Sequence, residues 1–453
     1  MSDITEKETG AKGRRGGEWL TSWDPEDSQQ WDGRLAWRTV TVTTFSLTLA
    51  FITWFLVSAL APVLNSIGFE LSTSQLYWLT AMPGLAGGAL RIVWMFLPPI
   101  LGTRKLVALS TILFLIPLVG WGLAVQNPST SFAVLLLLAI MAGIGGGVFS
   151  GFMPSTSYFF PKAKQGTALG VQAGIGNFGV SIVQFVTPWV VGFALFGSVL
   201  GASQTFESTA TASVKEVWYQ NAAFVWVPFV IVAAILAWTM LKSVPVQARG
   251  VREQLDIFGN KHTWIMTLLY VITFGTFSGL AAQFALLIKQ FYGSDSFGAD
   301  GINPVSVAFL GALVGSAARV IAGPIADKLG GGRVTLVSVI GIGAAAAYTA
   351  FQFNPTSADQ FGNFLWPMLI IFFFAGVGNA STFKQMPMIF APRQAGGVIG
   401  WTAAIAAFGP FVFGLMFATG LTALIYWFGV ATCVIGAAVT WYYYVRPGCE
   451  KPS

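Results

Sequence analysis

The chain has 453 residues, 55% of them hydrophobic and only 9% charged, with 24 Lys and Arg against 18 Asp and Glu and a mean hydropathy of +0.70. Soluble domains carry about 25% charged residues, so this composition excludes an ordinary soluble domain and fits a polytopic membrane protein. Two cysteines (Cys433 and Cys449) and one histidine (His262) leave no disulfide scaffold, no Cys/His zinc site and no bis-histidine haem.

Residues 1–38 are polar and charged and lack the apolar stretch of a cleavable leader, so they read as a soluble tail. Trp19, Trp23 and Trp31 suit that tail to anchoring at a bilayer interface. A spanning helix needs about 20 mainly apolar residues. Windows of that length fall at 39–63, 74–100, 106–124, 131–152, 166–198 and 222–243, and again at 264–288, 304–326, 334–352, 365–390, 397–419 and 422–445. The expected fold is therefore all-α, with twelve transmembrane helices in two six-helix bundles, 39–243 and 264–445. A basic linker, 244–263, joins them and a short tail, 446–453, follows.

Basic residues set the orientation. With the N-terminus inside, the inner segments hold nineteen Lys and Arg and the outer loops hold only Lys215 and Lys289. Arg91, Arg319 and Lys384 fall within spans. This split places both termini in the cytoplasm. It also explains the net charge of +6 by topology, without nucleic acid as a partner.

The two halves repeat. GGALRIV (87–93) matches GSAARVI (315–321), which puts Arg91 and Arg319 at equivalent positions 228 residues apart. AGIGGG (142–147) matches AGVGNA (375–380), and Met153-Pro154 matches Met386-Pro387, both at an offset of 233. Parallel repeats of this kind place a substrate site near the bilayer midplane between the halves.

An arginine at mid-bilayer costs roughly 2.5–3.5 kcal/mol on insertion scales and is usually functional. Two at repeat-equivalent positions, with no acid in their spans, imply that the counter-charge is an anionic cargo. A guanidinium is planar, always charged and offers parallel N–H donors, which suits small oxyanions better than a lysine does. All 18 acids are expected in tails and loops, and His262 in the linker, so no embedded proton relay is visible. Lys384, late in the tenth span, is expected to snorkel to the surface or to attract anions to the inner vestibule. Glycines 143, 145, 146 and 147, with Gly174, Gly176, Gly376 and Gly378, either let helices pack closely or let them rock around a compact substrate. Asn379 lies in the second of these segments, and Asn177 in AGIGNFG (173–179) is a neutral donor for an oxyanion.

GPIADKLGGGR (323–333) is close to the G-x-x-x-D-(R/K)-x-G loop of the major facilitator superfamily, which the chain resembles. That resemblance makes Asp327, Lys328 and Arg333 a conformational loop after the eighth helix. The matching LPPILGTRK (97–105) keeps the glycine and the basic pair but lacks the acid. Arg91, the paired glycine-rich segments, GIGNFG, LLYVITFGTFSG (268–279), GSAARVIAGPIADKLGGGR and SWDPEDSQQW (22–31) together look like the NarK/NarU-type nitrate/nitrite porters, over nearly the whole chain. The resemblance implies that Arg91 and Arg319 clamp an anion from opposite halves. Asn177 and Tyr270 would add hydrogen bonds, and Phe149 and Phe274 would stack on the anion or close the site. The segment before the eleventh span is short (APRQAGG, 391–397), and Thr402 is the polar group that span offers.

The implied activity is import of nitrate in exchange for nitrite by alternating access. Nitrate–proton symport and carriage of another small inorganic or carboxylate anion stand as alternatives. No nucleophile, metal or cofactor motif suggests an enzyme. The expected partners are nitrate, nitrite and the lipid bilayer, for a monomer in the bacterial inner membrane.

Overall fold

A computed structural model describes residues 18–21, 23–197, 199–207, 214–245 and 255–453. Residues 246–254 of the 244–263 linker and the first 17 residues of the tail, with Lys7, Lys12, Arg14, Arg15, Arg249 and Arg252, lie outside the described residues.

Among the described residues, eleven helical stretches are long and apolar enough to cross a membrane. The helix that carries Arg91, Thr73–Trp94, makes twelve. In the first half these are α1 (Gly33–Leu60), α2 (Thr73–Trp94), α3 (Pro98–Leu113, continued by Leu115–Ala124), α4 (Phe132–Gly147, continued by Phe149–Ser157), α5 (Lys162–Val190) and α6 (Val227–Met240). In the second half they are α7 (Lys261–Tyr270 and Thr276–Tyr292), α8 (Phe309–Leu329), α9 (Gly331–Thr349), α10 (Phe361–Ile389), α11 (Pro392–Ala406 and Gly409–Ala418) and α12 (Thr422–Thr440).

Local chemistry sets several helix ends. Asp32 accepts from the backbone N–H groups of Arg34 and Leu35, so α1 starts at Gly33, ahead of the apolar window. Ser72 and Gln75 form a reciprocal capping box at the start of α2. Asn260 accepts from His262 N–H, so α7 starts at Lys261 and His262 lies in its first turn, not in the linker. His262 is buried there, with Nδ1 3.0 Å from the Tyr444 hydroxyl and Nε2 3.1 Å from Glu450 Oε1. The apolar outer faces, with Leu123, Ile235, Trp366, Phe428 and Val434 exposed, suit a lipid environment.

Between α5 and α6 the chain forms a feature that the hydropathy pattern does not announce. Two antiparallel strands, β1 (Gln204–Glu207) and β2 (Val214–Val217), pair with Gln204 opposite Val217. This hairpin marks one end of the bundle; residues 18–32 mark the other, the tail end.

The tail is docked on protein. Trp23 and Trp31 donate their indole N–H groups to the carbonyls of Tyr158 and Phe159, in the α4–α5 turn. Glu26 accepts from Lys162 N–H, and Ser243, just past α6, exchanges backbone hydrogen bonds with Glu18 and Leu20. Glu18 also pairs with Lys105 on α3 at 2.9 Å, in the 97–105 stretch whose sequence lacks the superfamily acid. A carboxylate from the tail thus stands beside the basic pair there. Lys105 holds the Glu18 carboxyl below the usual carboxylate range. This ion pair's contribution is therefore fully present at neutral pH and is lost as pH falls through that lowered value.

The second-half loop is shorter than the sequence suggests. Helix α8 runs to Leu329, so Asp327 and Lys328 occupy its last turn, and Arg333 lies in the first turn of α9. Gly330 alone joins the two helices, at φ 90°, a left-handed conformation that only glycine takes without strain.

The halves meet along two seams, α2 against α11 and α5 against α8. Toward the hairpin end, polar side chains also join them. Tyr77 on α2 donates to Gln290 on α7 at 2.7 Å, and Thr80 donates to Gln283 at 2.5 Å. Gln184 on α5 donates to the Ala281 carbonyl at 2.9 Å.

Candidate functional site

The repeat in sequence is a repeat in packing. In the first half, a Cβ on Gly143 would overlap the Cβ of Ala86 and crowd the backbone of Gly87. In the second, a Cβ on Gly376 would overlap the carbonyl of Gly315. Both helix pairs therefore cross at near backbone contact, and one turn further along each lies its arginine, Arg91 on α2 and Arg319 on α8. Gly145, Gly146 and Gly147 leave no room for a Cβ against Ala50, Trp54 and Leu90, and Gly174, Gly176 and Gly378 leave none against Val320, Leu47 and Thr273. Close packing accounts for all of these glycines.

Arg91 is fully buried. Its Nε donates to the Gly146 carbonyl at 2.9 Å in its own half, and its Nη1 donates to the Ala403 carbonyl on α11 at 2.7 Å in the other. Its Nη2 has no partner. The guanidinium lies over Phe149 at 4.6 Å, Phe274 at 5.2 Å and Trp54 at 5.4 Å, where the ring faces offset part of the cost of burying the charge.

Arg319, 5% exposed, crosses the other seam. The Asn177 amide, oriented so that both its groups are satisfied, accepts from Arg319 Nη1 at 3.0 Å and donates to the Ala173 carbonyl at 3.2 Å. Each arginine thus reaches from its own half to a helix of the other. No ion pair to either is present among the described residues, and no Asp or Glu there is buried.

Aromatic rings connect the two charges. The Tyr270 and Phe274 rings stack at 5.3 Å and 4°, because α7 widens into a single π-turn, Val271–Gly275, between its two α-helical parts. Such turns recur at functional sites. Phe383 on α10 lies 5.0 Å from Tyr270, 6.4 Å from Phe149 and 5.2 Å from the Arg319 guanidinium. Arg91, Arg319, Asn177, Tyr270, Phe149 and Phe274 are therefore all brought into one cluster.

Sequence reading missed Phe383 and Trp54. Phe383 lies inside the second glycine-rich segment but is one residue out of repeat register with Phe149. Counting 233 residues on from Phe149 lands on Thr382; helix α4 breaks at Val148, whereas α10 runs unbroken through the corresponding stretch. Trp54 had no distinguishing neighbour in sequence; its indole donates to the Pro83 carbonyl on α2.

Two other expectations change. Lys384 neither snorkels free nor faces a vestibule unpaired: it forms an ion pair with Asp327 at 2.6 Å, both side chains being well exposed. Thr402 bonds to the Val398 carbonyl of its own helix at 2.9 Å. Exposed pairs contribute no more than about 1 kcal/mol. A Lys384→Ala, Asp327→Asn double-mutant cycle read by thermal unfolding should therefore return a coupling of that size or less. A larger value would mean that the pair ties α8 to α10 more firmly than its exposure implies.

Twelve spans in two repeated halves, with a buried charged site on the seam between them, define a secondary carrier. A family model described as Major Facilitator Superfamily matches residues 43–406. The chain is 63% identical over 442 residues to the probable nitrate/nitrite antiporter NarK2 of Thermus thermophilus, covering 96% of this chain and 98% of that one. It is 37% identical to the nitrate/nitrite transporter NarU of Escherichia coli, covering 82% and 78%. Among solved structures, the proton:xylose symporter XylE superposes with a TM-score of 0.67 at 14% identity, over 93% of this chain and 98% of that one. The chain belongs to the NarK/NarU-type nitrate/nitrite transporters of the major facilitator superfamily.

Proposed function

We propose that the protein exchanges nitrate for nitrite across the bacterial inner membrane by alternating access, with the anion held between Arg91 and Arg319. One observation carries this reading: two buried guanidinium groups, one from each half, have no carboxylate to neutralise them. A small monoanion supplies part of the missing charge, and its flat shape suits the aromatic surroundings of Arg91, where Phe149 and Phe274 lie against the guanidinium. The names of the relatives are in keeping with this cargo.

Exchange follows from the same charges. Reorienting the empty carrier would drag two uncompensated cations through the closed state, where burial in low dielectric penalises them most. Nitrate and nitrite carry equal charge, so each relieves this barrier equally and their exchange moves no net charge. A coupled proton would need a titrating group at the site, and the sole histidine sits at the tail end, engaged with Tyr444 and Glu450. Each chain contains a whole site, so the monomer is the working unit, with both termini on the cytoplasmic side where the basic residues collect.

Labelled nitrate uptake into proteoliposomes tests the mechanism. Uptake should require internal nitrite or nitrate and should ignore an imposed proton gradient. Uptake into empty vesicles driven by that gradient would establish symport instead.

A further inference from the structure

We propose that Asn379 on α10 donates to the third oxygen of a trigonal oxyanion and so sets the preference of the site for nitrate over nitrite. The inference rests on the reading of the site as a nitrate/nitrite site.

Register places Asn379 beside Arg319. Helices α8 and α10 run in the same direction, since Gly311 packs on Phe372, Gly315 on Gly376, and Gly331, just past α8, on Gln385. Counting one turn from the Gly315–Gly376 crossing reaches Arg319 on α8 and Asn379 on α10. Along α10, Asn379 is three residues after Gly376, which faces α8, and four before Phe383, whose ring lies 5.2 Å from the Arg319 guanidinium. Residues three and four apart share a helix face, so Asn379 belongs to the stripe that lines the site.

Its side chain is fully buried, and neither Nδ2 nor Oδ1 has a hydrogen-bond partner. An amide buried in this way is costly unless something else satisfies it. Arg91 Nη2 is likewise unpartnered. Buried, unsatisfied donors thus collect around the rings that link the two arginines.

The chemistry of the two anions then separates them. Nitrate has three equivalent oxygens at 120° in one plane. Two guanidinium groups approaching from opposite halves serve two of them and leave the third pointing to one side. Nitrite has two oxygens and a nitrogen lone pair, so the arginines alone serve it. A neutral N–H donor on one side adds to nitrate and adds little to nitrite. Asn379 is one-sided in this sense, because the residue 233 positions earlier is Gly146, which has no side chain.

The test is calorimetric titration of the purified full-length protein with nitrate and, separately, with nitrite, for the native chain, Asn379→Leu and Asn379→Ser. Leucine keeps the branched shape, with the same number of heavy atoms, and removes the donor; serine keeps a donor in a smaller side chain. Losing a hydrogen bond to a charged ligand should weaken nitrate at least about tenfold in Asn379→Leu and leave nitrite within about twofold, with Asn379→Ser between native and leucine. The ratio of the two affinities within one variant is its own control, because a misfolded protein loses both. Equal weakening of both anions in a folded variant, or weakening of neither, would overturn the proposal. If the native protein bound neither anion, the functional reading itself would fall and this inference with it.

Discussion

Replacing Arg91 or Arg319 with lysine should reduce nitrate–nitrite exchange at least about a hundredfold although the charge is kept, since each charge-assisted hydrogen bond lost costs about 1.5–3 kcal/mol. Arg91 already spends Nε on Gly146 and Nη1 on Ala403, one carbonyl from each half, and keeps Nη2 free. A lysine ammonium gathers its donors on one nitrogen and lacks the planar fork that reaches Gly146, Ala403 and a ligand in separate directions. Arg319→Lys loses the fork that engages Asn177 in the same way. The measurement is labelled nitrate exchange in nitrite-loaded proteoliposomes, with Arg446→Lys, a half-buried position at the tail end and away from the site, as the matched control. Near-native exchange by both site variants would sink the clamp.

Gly376→Ala should abolish exchange without altering any polar group. The added Cβ would overlap the Gly315 carbonyl, so α8 and α10 must separate and Arg319 must move with them. Overpacking of this kind costs about 1–3 kcal/mol, and a lower unfolding temperature should accompany the lost transport. Gly166→Ala and Gly170→Ala on α5 meet nothing within 4 Å and should leave both readouts unchanged or slightly improved, because alanine is the better helix former. Native-like melting and exchange in Gly376→Ala would show that the two helices tolerate separation.

The spans, their grouping and the pair of arginines were legible because each is written in composition or in a repeat. Membrane helices must be apolar along their length, and an arginine in such a stretch stands out against a uniform background. What stayed hidden depends on geometry that no local pattern encodes. The π-turn at Val271–Gly275 has no sequence marker, yet it sets the stacking of Tyr270 on Phe274. Phe383 was one among 39 phenylalanines and stands one residue out of repeat register with Phe149. His262 and Lys384 were placed by hydropathy alone, which reports depth and not partners. A cap at Asn260 and an acid in the last turn of α8 decided their positions instead.

The docked tail bears on how the carrier moves. Residues 18–32 touch the first half of α3 through Glu18, the α4–α5 turn through Trp23, Glu26 and Trp31, and the end of α6 through Ser243. Three junctions of the first half are thus fastened by one short piece of chain, as a splint fastens slats. Shear among those six helices would break several of these bonds together, whereas tilting the whole half breaks none of them. The easy deformation is therefore rotation of one stiff body against the other about the buried arginines, and loosening the splint should soften the first half itself before it changes what the site can hold.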